Sequence, residues 1–232
     1  MTLAKAVLEA GIIPGDSATR SRKKAYSERL SHLLADALAS ALRSRGFRGV
    51  KPLEGGPRER EFQGGLGPKK VDVSCADERN GLRLAVSIKS ICFAPNGKNL
   101  KNRFGDLCGE AITLHMRFPY SVVCALFAFP ETADSDRGPA KPVSTFRRAL
   151  DLFATISGRS EYTGPGEKFE NVSVLLFRPR TKESGDTRIR LFNGSPDPGS
   201  PVEITEEMYL DLLHRIFTRR NPHEAPGLDP EE

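Results

Sequence analysis

No stretch of the chain approaches the roughly 20 consecutive apolar residues needed to span a bilayer. The short apolar run near the N-terminus is followed, not preceded, by its basic residues, the reverse of a secretory signal. Neither membrane insertion nor secretion is expected. Cysteine is scarce. Cys75, Cys92, Cys108 and Cys124 are scattered, with no C-x-x-C pair, which excludes a disulfide framework and a spaced zinc set. They read as packed free thiols in a reducing cytoplasm. The 21 glycines and 17 prolines among 232 residues are too few for a low-complexity or fibrous chain. Also missing are a G-x-x-x-x-G-K-[ST] phosphate loop, a G-x-S-x-G nucleophile elbow and an H-E-x-x-H pair. Gly64-Gly65-Leu66-Gly67 leads into a strand rather than a helix, which argues against nucleotide binding and suits a tight turn of the backbone before Asp72.

With 38% hydrophobic residues, the chain is long enough for one well-buried domain over 1–232, with a mobile leader over about 1–20 and a loose tail over about 221–232. The net charge of +5 is modest and favours a polyanionic partner. Its placement is uneven. From Thr19 to Glu61 eleven basic residues face five acids.

Tyr26, Leu30, Leu33, Leu34, Ala37, Leu38, Ala41 and Leu42 recur at helical spacing, and Gly46 supplies a stop. Residues 49–68, rich in glycine, proline and charge, read as an irregular connection. Two β-prone runs, 70–76 and 82–93, flank Asn80-Gly81 and predict an antiparallel hairpin. A helix follows over 99–117, then a nearly all-apolar run over 120–129 that should be the central strand. A further helix bears Phe146 to Ile156, a buried strand spans 172–177, an edge strand 188–192, and a last helix over 204–219 carries Met208, Leu212, Leu213 and Ile216. The expected architecture is α/β: a mixed β-sheet flanked by helices in the order α-β-β-α-β-α-β, with a small edge strand and a C-terminal helix.

The hairpin carries the chemistry. A two-residue turn sets Asp72 opposite Lys89, and a four-residue turn sets it opposite Ser87. Ser87 and Lys89 are two apart on one strand and share a face, so in either register the three form one polar cluster. Val71, Val73, Val86 and Ile88 should point the other way, into the core. A carboxylate beside a lysine suits a hard divalent cation and an attacking water at a phosphate. An ordinary cross-strand ion pair on a wet sheet face is the competing reading.

Pro68-x-x-x-Asp72, the hairpin, Ser87-Ile88-Lys89, then a helix and a buried strand resembles the PD-(D/E)XK nuclease superfamily across roughly residues 20–180. The resemblance implies a restriction-endonuclease-like fold and a metal-dependent endodeoxyribonuclease of restriction, defence or repair type. Mg²⁺ would be the cofactor, Mn²⁺ its substitute and double-stranded DNA the substrate. The acid expected two residues before the lysine is Ser87, which supplies no negative charge. In some members of the superfamily that carboxylate comes from the following helix, where Asp106 and Glu110 sit four apart, and Glu110 is the preferred candidate over Asp106. The resemblance thus implies Asp72, Lys89, Ser87 and Glu110 as catalytic residues, with Asp72 and Glu110 or Asp106 on the metal. Lys98, Lys101, Arg103 and Arg117 are the candidate DNA contacts. Glu28, Glu54 and Glu61 read as solvated acids, and His115 as a packed, hydrogen-bonded residue. A homodimer would suit cleavage of both strands. The alternative is a DNA-binding module on the same fold whose site has decayed, and a third is an interaction protein that shares only the layer order.

Overall fold

The computed structural model describes residues 1–56, 59–139, 141–194 and 202–224. A seven-stranded mixed sheet runs β1-β4-β5-β6-β7-β8-β9, and a separate ribbon pairs β2 with β3. The chain enters through α1 (Leu3–Glu9) and α2 (Arg20–Ser44), followed by β1 (Val50–Lys51), β2 (Arg60–Gln63), β3 (Pro68–Val71), β4 (Val73–Asp77) and β5 (Gly81–Ser90). It continues as α3 (Asn96–Arg117), β6 (Val122–Pro130), α4 (Thr132–Ser135), α5 (Thr145–Thr155), β7 (Asn171–Arg178), β8 (Arg188–Asn193), β9 (Val202–Ile204) and α6 (Glu206–Arg220).

β6 is the middle strand, parallel to β5 and β7, and every residue in it is buried, as its unbroken apolar run requires. Alternation along β5 divides the core in two. Leu84, Val86 and Ile88 face α1, α2 and α6, whereas Ala85 turns toward α3 and α5. No helix among the described residues is long and apolar enough to cross a membrane.

Several expectations need correction. The leader is not loose, because Leu3, Ala6, Val7 and Ala10 bury at helical spacing and the Leu3 amide donates to the Glu206 carboxylate at 3.0 Å. Residues 49–68 are not wholly irregular, since β1 pairs with β4 and β2 with β3. The strand over 188–192 is not the edge, because β9 pairs outside it. α6 turns Tyr209, Leu210, Leu213 and Phe217 inward, while Met208 is exposed. The tail expected to be loose lies, from residue 225 on, outside the described residues.

Candidate functional site

The long hairpin is built as two pieces. β3 belongs to the ribbon and β4 to the main sheet, and the chain bends between them at Asp72. That bend sends Val71 into the α3 side of the core while Val73 stays on the α2 side, so the four valine and isoleucine neighbours do not share one face as expected. It also leaves a ladder position open on β5. Asp72 Oδ2 fills it by accepting the Ile88 amide at 2.7 Å.

The register past the turn is Asp77 opposite Gly81, and a bulge between Cys75 and Ala76 shifts it so that Val73 faces Val86. Continued by one residue, this sets Asp72 beside Ser87, the outcome of the longer of the two turns considered. Ser87 and Lys89 lie on the α3 face of β5, where helix α3 covers them.

Glu110 completes the group. It falls on the stripe of α3 defined by Leu107, Ala111 and Leu114, and its side chain is 1% exposed. Lys89 Nζ stands 3.2 Å from Glu110 Oε2 and 3.9 Å from Asp72 Oδ2. The contact with Glu110 Oε2 is an ion pair at hydrogen-bond distance, whereas Glu110 Oε1 is buried with no hydrogen-bond partner among the described residues. Ser87 Oγ is equally buried and unbonded. Burial raises the Asp72 pKa despite the opposing pull of Lys89 and the Ile88 amide, with Glu110 and Glu59 adding to the rise. For Lys89 burial acts to lower the pKa, but Glu110 and Asp72 outweigh it and hold the ammonium above its ordinary range.

Asp106 does not join them. Although only four residues from Glu110, its side chain is 55% exposed and pairs with Arg103 at 3.2 Å. Sequence reasoning missed Lys69, whose Nζ reaches Glu110 Oε2 at 3.8 Å from the ribbon. The signal was available: Lys69 lies two residues before the buried Val71 and therefore shares its face.

Among the expected DNA contacts, Lys98, Lys101 and Arg103 are exposed near the start of α3, and Arg117 is exposed at its end. At the rise of a helix, Arg117 stands about 28 Å from Lys98. The four do not make one patch. Instead Arg103 faces Arg20, Lys23 and Lys24 of α2 across a cleft of about 840 Å³ just beyond β5, whose walls include Phe93, Asn99, Asn102 and Asp106. Glu28 is exposed and pairs with Lys24 at 3.5 Å, and Glu54 and Glu61 are exposed too. His115 is buried, with Nδ1 3.0 Å from the Gly166 carbonyl oxygen and Nε2 3.4 Å from Glu170.

Two carboxylates and a hydroxyl are hard donors, and the buried, unbonded Oε1 of Glu110 leaves coordination capacity to spare. No cluster of three or more His, Cys, Asp or Glu side chains occurs among the described residues, so a cation here would complete its shell with water or substrate oxygens. The four cysteines are free, three of them buried. No family model, curated protein or solved structure matches the chain.

Proposed function

We propose that the chain is a metal-dependent endodeoxyribonuclease with a restriction-endonuclease-like core. The observation that carries this reading is the convergence of Asp72, Lys89 and Glu110 on one half-buried point, with Glu110 Oε1 left without a hydrogen bond among the described residues. An unmet buried acceptor costs on the order of 1–3 kcal/mol, and a cation at Glu110 Oε1 would remove that cost.

Asp72 and Glu110 are the residues that would hold Mg²⁺ or Mn²⁺. The bound cation supplies Lewis-acid polarisation of the scissile phosphate. The chain's own groups do the rest. Lys89 keeps its proton between two acids, so it orients the attacking water and offsets phosphate charge rather than acting as a base. Ser87 Oγ, which has no hydrogen-bond partner among the described residues, would bond to a water or substrate oxygen held in the site. The cleft residues Arg20, Lys23, Lys24 and Arg103, with Lys98 and Lys101 beside them, hold the DNA backbone through charge, and their contribution falls with salt. A second copy would bring a second site to the opposite strand.

One observation favours the rival, a DNA-binding module with a decayed site: only two acids meet Lys89, and Ser87 stands where a third would lie. Supercoiled plasmid separates the two. Incubated with purified protein and Mg²⁺ or Mn²⁺, it is nicked or linearised under the nuclease reading, and chelator stops the reaction. Retention of plasmid without any cleavage in either metal establishes the binding module instead.

A further inference from the structure

We infer that Lys69 is a resident counter-cation, whose ammonium occupies on Glu110 the place a divalent cation takes and leaves when that cation arrives. This inference rests on the metal-binding reading above.

Lys69 is delivered to Glu110 by construction. In the β2–β3 ribbon Phe62 pairs with Lys69, and partners in a ladder share a face. Phe62 and Val71 are buried on that face, so Lys69 points inward with them, while Lys70 points away to Glu59 at 3.5 Å. Two glycines seat the ribbon on α3. The Gly65 amide donates to the Thr113 carbonyl oxygen at 2.8 Å. A Cβ at Gly64 would lie 2.7 Å from that same oxygen, and one at Gly65 would lie 2.3 Å from Met116 Cβ. The approach is possible only because both positions lack side chains.

Charge balance supplies the rest. Asp72 and Glu110 meet Lys69 and Lys89, and the four cancel. A dication added to that group leaves two uncompensated positive charges in a half-buried site, where they are poorly screened. One ammonium must withdraw. Lys89 contacts both acids from the main sheet and is 20% exposed, whereas Lys69 contacts one acid, at 3.8 Å, and is 31% exposed. Lys69 is the one with somewhere to go. No bond is made or broken, and the freed ammonium moves toward solvent, to which it is already partly open.

The test is Mn²⁺ titrated into the full chain by calorimetry, at constant ionic strength and without DNA. Lys69→Met removes the competing charge and tightens the Mn²⁺ dissociation constant about tenfold, the size of effect typical for groups next to metal ligands. Lys69→Arg keeps the charge and does not tighten it. Equal or weaker affinity in Lys69→Met overturns this inference and leaves the nuclease reading standing. Absence of Mn²⁺ binding by the native chain and both variants overturns the two together. Thermal unfolding of each protein in chelator confirms folding, and Lys69→Gln replaces Lys69→Met if the latter does not fold.

Discussion

Two groups of buried charge sit under the same helix, and they are built on opposite terms. Near the start of β6, Glu170 is fully bonded: Oε2 accepts the Val123 amide at 2.8 Å, and Oε1 accepts Arg159 at 2.8 Å and Arg220 at 3.1 Å. Arg159 goes on to donate to the carbonyl oxygens of Tyr162, Gly164 and Pro119, which ties down the loop between α5 and β7. Burial would raise the Glu170 pKa, but His115 and Arg159, with the Val123 amide, hold it below the usual carboxylate range. Toward the other end of β6, the Asp72, Lys89 and Glu110 group has the reverse character. Asp72 is raised by burial, and Glu110 is enclosed, with the ammonium groups of Lys89 and Lys69 near its carboxylate and no hydrogen-bond partner on Oε1 among the described residues. Satisfied charge of the first kind holds a fold together. The less satisfied carboxylate of the second group is the one to which the proposed function assigns a ligand.

The contrast breaks most sharply at Glu170. Glu170→Ala leaves Arg159 and Arg220 buried without their acid, and it should cost about 3–5 kcal/mol in denaturant unfolding. A loss below about 1 kcal/mol would mean that this group is not structural either. Next in size is Lys89→Met, expected to reduce plasmid cleavage by about 10²–10³-fold through loss of charge stabilisation, and also to lower stability because Asp72 and Glu110 lose their nearest cation. A large fall in stability without a fall in cleavage would make Lys89 another Arg159.

Gly64→Ala should cost about 1–3 kcal/mol, because the new methyl meets Thr113 Cγ2 at 2.4 Å and its carbonyl oxygen at 2.7 Å, and the ribbon must shift. Native stability in that variant would show that the ribbon is not seated on α3. The smallest effect is the most diagnostic. Asp72→Asn should slightly raise the thermal midpoint at neutral pH while abolishing Mn²⁺ binding, since the ionised acid is disfavoured by the fold.

Acid titration sharpens the same comparison, because the two shifts have opposite signs. The lowered pKa of Glu170 contributes stability above its unfolded value, and this is lost as pH falls through the folded one. The raised pKa of Asp72 does the reverse: its contribution is complete below about pH 4 and is lost as pH rises through the folded value. The stability gap between Asp72→Asn and the native chain should therefore open with rising pH, and the gap between the native chain and Glu170→Gln should close with falling pH. Parallel pH dependence in the two variants would erase the distinction.

Much of the frame was legible because it rests on local pattern. The apolar stripe of α2, the unbroken apolar run of β6 and the Asn80-Gly81 turn each declare an element within one stretch of chain. Period-two alternation put Ser87 and Lys89 on one face with Asp72 across from them, although the bulge at Cys75 and Ala76, which sets the actual register, left no mark in the sequence. α1 was missed because seven residues are too few for the pattern to stand out, and β9 because three residues form a strand only when β8 is there to pair with.

What the sequence by itself determined is therefore the order of elements, the polar face of β5 and the presence of acids on the helix that follows, since each depends on spacing along a single segment. Only the tertiary structure decided that Glu110 rather than Asp106 turns inward, that Lys69 joins it, and that the basic residues in the first turns of α2 face Arg103 across a cleft. It alone also gathered His115, Arg159, Glu170 and Arg220 from four distant segments. The reason is physical: a carboxylate's burial, and whether it is bonded or left open, depend on which other elements close over it, and no pattern within one helix or strand encodes that enclosure.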